Sequence, residues 1–376
     1  MTDTIFSPAR CLINKGAIRR NFARLGSPDV LMPVIKSDAY GHGLEETARV
    51  LSEAGAVRFA VGRVQEGEFL RRKGFGQEIV ALMGCLSPED WDLAQKYDII
   101  PLVGSFQDLD MAGARIAKPQ KICIKCDTGM SRLGFSPYEG GLLLDALRGS
   151  DNLRPVLFAS HFACADNPEE SGYTAYQRGI FNNFYKSVKE VFPEIRSSLG
   201  NSAASLSLAW ARNEILRPEL ILYGGNPFHN TTSAGLGAEL EWAMSVTAPV
   251  TATRALEKGQ SVSYGCSFTA RRPMRIAIVG CGYSQGYSRK LSNKARVVLN
   301  GRRTRQLGKI CMGMFMIDIS DQPEVKPGDA VWIAGGECDN GVKPVDLQEL
   351  ADMAGTIPYE LMCVFGSMNP RIYEDR

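Results

Sequence analysis

The chain has 376 residues, 44% hydrophobic and 22% charged, a globular composition long enough for two or three domains or one large barrel with an addition. Its formal net charge is only +2 and no long run of lysine or arginine occurs, which argues against nucleic acid or an anionic membrane as partner and favours a small molecule. The opening stretch MTDTIFSPARCLINKG lacks the basic start and apolar core of a secretory signal, and no run of eighteen apolar residues follows, so a cytoplasmic protein is expected. Ten cysteines scattered singly from Cys11 to Cys363 read as small buried hydrophobes in a reducing compartment. Cys123 and Cys126 form a C-x-x-C, but it sits inside the strand-like KICIKC without a second pair or a nearby histidine, and no metal is expected.

In chain order, short apolar runs recur at 30–35, 59–61, 79–83, 99–103, 122–126, 156–159, 195–199 and 220–223. Between them lie amphipathic stretches such as LEETARVLSEAG (44–55), with apolar positions at helical spacing and a closing glycine. Eight buried strands alternating with helices predict an α/β fold, a parallel (β/α)8 TIM barrel over residues 1–230. Pro33 counts against the first run, because proline cannot donate to a ladder. The stretch GGNPFHNTTSAGLG (224–237) then marks a domain edge. The segments WAMSVTAPVTATR, MRIAIV, ARVVL and ICMGMFMIDI beyond it are strand-like, and Asn300-Gly301 is a two-residue hairpin signal. A smaller, mainly β domain over 231–376 is expected, with one short helix near 347–354.

Barrels of this kind build their sites where strands end and loops begin. VIKSDAYGHG places Lys36 directly after the first apolar run. From position alone it reads equally as a surface lysine or as a partly desolvated amine in the barrel mouth, suited to Schiff-base chemistry with an aldehyde.

The segment KSDAYGHG (36–43) resembles the pyridoxal-phosphate attachment signature of alanine racemases, and further landmarks follow in order over nearly the whole chain. That family is a barrel followed by a β domain, working as a head-to-tail homodimer with shared sites. The resemblance implies that Lys36 carries pyridoxal 5'-phosphate and that Tyr40 contacts the cofactor phosphate. KCDTGMSRLGF (125–135) is similar to the family's K-x-DTGM-x-RLG, which implies Arg132 facing the cofactor's phenolic oxygen and substrate, and Lys125 as a lysine often carbamylated. His161 in HFA is implied to pack by the cofactor ring rather than transfer protons. Asn201 and Ser202 in NSA, Leu220 and Tyr359 are implied around the phosphate. Arg217, before Pro218, resembles the arginine facing the pyridine nitrogen; a guanidinium only donates, so the ring nitrogen stays unprotonated and the electron sink is weakened. Without the motif, Arg132 reads as an exposed ion-pair residue and Tyr40 as a rim aromatic.

VSYG (262–265) is similar to the family segment whose tyrosine serves the face opposite the lysine, reaching the other subunit's cofactor. Tyr264 would then be the second base; its reference pKa of about 10 requires nearby positive charge. On residues alone it is equally a tyrosine packed on a sheet. GCGYSQGYSRKLSN implies Tyr283 near the substrate entrance, and GKICM implies that the backbone around Met312 receives the substrate carboxylate. Departures from the family pattern fall at Ser198, Glu219, Ser284, Gln285, Lys309 and Gly313. The implied activity is interconversion of L- and D-alanine by two-base proton transfer between Lys36 and Tyr264. Serine or broad-specificity racemisation, and a non-racemising cofactor-binding homologue, remain as alternatives.

Overall fold

The computed structural model describes residues 6–208 and 214–376; the first five residues, part of the stretch read for a targeting signal, lie outside it. The chain divides into two units, one of residues 18–39 and 44–241, the other of 1–17, 40–43 and 242–376. The first strand, β1 (Arg10–Asn14), lies within the stretch expected for the barrel but belongs to the second unit.

In the first of these units β2 (Arg58–Val61), β3 (Glu78–Ala81), β4 (Ile99–Val103), β5 (Gln120–Lys125), β6 (Leu153–Ala159) and β7 (Arg196–Ser198) form one parallel sheet in sequence order. Most of their residues are buried and apolar, as a sheet covered on both faces requires. The ladders make a half-barrel of six strands, not the closed barrel of eight regular strands that the sequence predicts. Residues 30–35 meet it through one isolated bridge, Val34 with Ala60, and meet 215–218 through another, Leu31 with Leu216. Single hydrogen bonds add to these, such as Ile35 N to Ala60 O (2.8 Å) and Ile215 N to Ser197 O (2.9 Å). The physical reason is that each segment contains a proline, Pro33 and Pro218, that withholds an N–H from any ladder. The run at 220–223 is correspondingly not a strand but the 3-10 turn Leu220–Tyr223.

Three helices of this unit, Val64–Arg72, Pro88–Lys96 and Phe106–Arg115, begin shortly after sheet strands and share one capping device, an acid at their third position. Asp108 accepts the N–H groups of Gly104 (2.8 Å) and Ser105 (3.0 Å) through Oδ2, and Asp90 accepts that of Leu86 (2.8 Å). Glu66 accepts those of Gly62 (2.7 Å) and Arg63 (3.1 Å) through Oε2. Each carboxylate thus satisfies donors that a helix start leaves without partners.

The other unit is an eight-stranded sheet. Its long strand β8 (Met244–Leu256) pairs antiparallel with β1, with β11 (Met274–Val279) and with β15 (Ala330–Ala334). Between β11 and β15 run β12 (Arg296–Leu299), β13 (Arg302–Leu307) and β14 (Phe315–Asp318). A short ribbon of β9 (Ser261–Val262) and β10 (Phe268–Thr269) stands apart, and β16 (Arg371–Glu374) pairs parallel with β1. Asn300 and Gly301, at φ +48° and +72°, turn β12 into β13 in the way a two-residue hairpin demands. The helix Leu347–Ala354 stands at the expected place, capped by Asp346. A second helix, Pro358–Met368, follows it where the sequence predicts none.

Candidate active site

Lys36 is half-buried and ends the bridging segment 30–35. Behind it Ser37, Asp38, Ala39 and Tyr40 all adopt the left-handed conformation, φ +53° to +55°, a full left-handed turn built without glycine. Each such residue costs about 1–2 kcal/mol, so the surroundings must enforce the turn. They do so with carboxylates: Glu66 Oε1 accepts the N–H of Ser37 at 2.6 Å and of Asp38 at 3.4 Å, and Asp38 Oδ1 accepts that of Leu44 at 2.7 Å.

Lys125 closes β5. Its amine is nine-tenths removed from water, and burial, reinforced by the charges of Arg217 and Arg132, brings its pKa down to about 7. The loop after it folds back, Asp127 N to Phe135 O at 3.0 Å and Phe135 N to Lys125 O at 2.9 Å, and presents an exposed Arg132. Gly134 is required there, since a Cβ would lie 2.6 Å from Asp127 N.

Arg217 is buried and held at both guanidinium nitrogens. It donates to Ser198 O (2.8 Å), to Ser198 Oγ, to Ser160 O and to His161 Nδ1 (3.3 Å). Because arginine only donates, His161 Nδ1 must accept, and the ring proton resides on Nε2. Burial, then the charges of Arg217, Lys125, Arg132 and Lys36, hold the His161 pKa well below 6.5, so the ring is neutral. Beneath it Gln177 donates to His161 O (3.1 Å) and Thr128 Oγ1 (3.2 Å) and accepts from Ala163 N (2.9 Å). Ser160 Oγ pairs with Thr128 Oγ1 (2.9 Å) and donates to Cys126 O (2.8 Å). Asn201 caps the helix Ser202–Ser207, and Ser202 Oγ accepts the N–H of Glu219 at 2.9 Å. Leu220 is buried in the following 3-10 turn.

The structure thus gathers four of the predicted cations, Lys36, Lys125, Arg132 and Arg217, around one neutral imidazole. This donor set fits an aromatic group carrying several negative charges: a primary amine, a fixed guanidinium, a flat neutral ring and a serine hydroxyl at a helix start. Sequence reasoning misses Glu66, Ser160, Thr128 and Gln177. Only Glu66 leaves a local trace, an acid four residues after a glycine in GRVQE, which recurs in GSFQD (104–108).

In the other unit Tyr40 is buried, with its ring 5.5 Å from that of Tyr359. Tyr264 is not on a strand but on a single 3-10 turn, 64% exposed, with the Arg289 guanidinium 5.9 Å from its ring centre. The backbone before it is unusual, since Ser263 lies at φ +67° and its hydroxyl donates to Lys309 O at 2.5 Å. The Met312 carbonyl accepts from Ser284 N (3.0 Å) and Ser284 Oγ (2.7 Å), which gives the departing serine a structural part. Tyr283 and Met312 are both exposed. A Cβ on Gly313 would meet nothing within 4 Å. Cys123 and Cys126 are buried thiols whose pKa values are pushed up to about 12, and both are free. Among the described residues no group of three His, Cys, Asp or Glu could hold a metal ion, and no helix is long and apolar enough to cross a membrane.

A half-buried lysine amid cations, followed in sequence by a β domain bearing an exposed tyrosine, fits the class of two-domain amino-acid racemases. Residues 13–227 match the pattern described as "Alanine racemase, N-terminal domain" and residues 243–373 that of "Alanine racemase, C-terminal domain", so the chain belongs to the alanine racemase family. It is 41% identical over 373 residues to an alanine racemase of Nitratidesulfovibrio vulgaris (strain DP4), covering 98% of each chain. The biosynthetic alanine racemase of Pseudomonas aeruginosa superposes with a TM-score of 0.86 at 32% identity, over 98% of this chain and all of that one. The alanine racemase of Bartonella henselae, solved with covalently bound pyridoxal phosphate, does so with a TM-score of 0.85 at 28% identity, over 97% and 99%.

Proposed function

We propose that the protein interconverts L- and D-alanine with pyridoxal 5'-phosphate held on Lys36. The observation that carries the reading is the half-buried amine of Lys36, directly after segment 30–35, in one unit with a buried arginine, Arg217, whose hydrogen bonds leave it no freedom to turn. When bound, the cofactor would supply an electron sink that acidifies the substrate's α C–H. Arg217 would present only donors to the ring nitrogen, because a guanidinium has five N–H protons and no lone pair with which to accept one. Proton transfer then falls to two groups of the protein: Lys36 would serve one face of the α carbon, and Tyr264 of a second copy of the chain the other. His161, neutral and held by Arg217 and Gln177, packs beside the ring. Ser202, Asn201, Tyr40, Tyr359 and the backbone at Leu220 receive the phosphate, while Arg132, Met312 and Tyr283 meet the substrate.

Lys125 carries a carbamate. Its amine, with a pKa near 7, is about half uncharged at neutral pH; in that form it would add to carbon dioxide and release one N–H proton to solvent, and the anion formed would offset the positive charges of Arg132 and Arg217. The stretch 1–230 supplies the cofactor-binding half-barrel, flanked by 30–35 and 215–218, together with the first strand of the other unit, and 231–376 supplies most of the β domain of a cytoplasmic homodimer.

The deciding test is Lys36→Ala. Borohydride reduction followed by peptide mapping should fix the cofactor on residue 36 of the native protein and nowhere in the variant, with turnover of both alanine enantiomers lost. Cofactor fixed elsewhere, or racemisation surviving, refutes the assignment.

A further inference from the structure

We infer that Glu66 is a positioning residue for the Lys36 amine, its carboxylate joining the start of its own helix to the left-handed turn that follows the lysine. The inference deepens the proposed function and rests on Lys36 being the amine that holds the cofactor. Four backbone N–H groups converge on this one carboxylate. Oε2 takes Gly62 and Arg63 at 2.7 and 3.1 Å, which is the capping duty, and Oε1 takes Ser37 and Asp38 at 2.6 and 3.4 Å, which is not. A left-handed turn, like any helix start, leaves its first N–H groups without partners inside itself. Here those groups belong to the two residues directly after Lys36, and a single charged acceptor takes both; hydrogen bonds to a carboxylate are the stronger kind.

Two features of the same unit separate this role from ordinary capping. Asp108, at the equivalent place in GSFQD, caps its helix with Oδ2 alone, taking Gly104 and Ser105 at 2.8 and 3.0 Å. An aspartate therefore suffices for the cap, and the extra methylene of Glu66 is what lets its second oxygen reach Ser37. The end of β2 also presses on the base of the lysine: a Cβ on Gly62 would lie 3.3 Å from Lys36 Cβ and 3.0 Å from Glu66 Oε2. Only a residue without a side chain fits between carboxylate and lysine stem, and the direction in which the amine leaves the backbone follows from where Glu66 holds the turn.

The test is Glu66→Asp in the full-length protein, alongside Glu66→Gln. Apoenzyme is mixed with pyridoxal phosphate, and both the growth of the visible band of lysine-bound cofactor and its induced circular dichroism are followed. Glu66→Asp should lower the thermal midpoint modestly, since two N–H groups of the turn lose their acceptor, yet slow covalent attachment roughly ten- to hundredfold, out of proportion to that loss, and weaken the dichroism, as expected when a reacting group is displaced by about 1 Å. Glu66→Gln, with the reach retained and one accepting oxygen left, should recover part of the rate. Wild-type attachment in Glu66→Asp overturns the inference, as do rates that simply follow the thermal midpoints of the two variants. Lys36→Ala run in parallel separates the failures: attachment surviving there sinks the assignment of Lys36, whereas attachment lost there but unchanged in Glu66→Asp sinks only the role of Glu66.

Discussion

Buried charge at single residues sets the character of the cofactor unit. Arg217 is tolerated in the interior because two backbone carbonyls, a hydroxyl and an imidazole nitrogen take its protons. Ser198 supplies two of these acceptors and donates its own hydroxyl hydrogen bond to Ile215 O at 2.6 Å. Ser198→Ala should therefore cost about 1–3 kcal/mol in urea unfolding, the price of an under-satisfied buried group, and should loosen Arg217. The neighbouring amines and imidazole make stability depend on pH in a definite direction. Without its carbamate, Lys125 falls from 10.5 to about 7 on folding, so the unfolded chain binds the extra proton between those values, and stability is lost as pH falls through that window. Buried thiols oppose this above pH 9.0, because Cys11, Cys123 and Cys126 are raised from there to about 12 and resist ionising in the folded state. The clean window is pH 7 to 9. The thermal midpoint of the apoprotein should rise across it, and the rise should flatten in Lys125→Met. His161 acts lower down: its depressed pKa withdraws stability as pH drops below 6.5, a loss that His161→Gln should lessen.

Elements with strong periodicity or turn chemistry are legible in the amino-acid sequence, whereas elements defined by tertiary contact are not. The apolar runs at 59–61, 79–83, 99–103, 122–126 and 156–159 each hold a strand of the parallel sheet, because a strand buried on both faces has no polar positions to hide it. The hairpin at Asn300-Gly301 and the helix Leu347–Ala354 are equally plain. The run at 220–223 misleads, since a buried 3-10 turn and a buried strand share the same apolar composition. The helix Pro358–Met368 escapes notice although Pro358 stands at its first turn, where proline is favoured; its one acidic residue, Glu360, gives the eye no polar stripe. What places this helix is a backbone contact that no pattern encodes. A Cβ on Gly366 would sit 2.0 Å from Gly41 O, and one on Gly41, at φ +82°, would sit 2.3 Å from Met362 O. Gly366→Ala must push the helix, and with it Tyr359, off the Tyr40 loop. We expect a loss of at least about 1–3 kcal/mol in thermal or urea unfolding, together with weaker phosphate affinity measured as cofactor release on dialysis.

At the scale of the whole molecule the chain begins and ends in one sheet, since β1 pairs with both β8 and β16 around residues of the second unit, while the cofactor unit is inserted between them. The two groups proposed to move protons therefore lie in different units, Lys36 in one and Tyr264 in the other. Tyr264 stands 64% exposed beside Met312 and Met314, themselves 62% and 48% exposed, a cluster of exposed apolar side chains of the kind that marks an interaction surface. A second copy that covers it and receives the phenol would make every site a joint product of two chains, and that has a consequence a single-chain site cannot imitate. Tyr264→Phe alone should lower racemisation about 10²–10⁴-fold in both directions while cofactor stays bound, and Lys36→Ala alone should abolish it. Mixed and allowed to exchange subunits, the two inactive proteins should regain activity, because one site of each hybrid dimer combines the intact lysine of one protomer with the intact tyrosine of the other. Random exchange makes half the dimers hybrids with one good site in two, so recovery should approach about a quarter of native turnover. Were both groups to act within one chain, no mixture would restore anything, and the absence of recovery under conditions where mass spectrometry shows hybrids would refute the shared site.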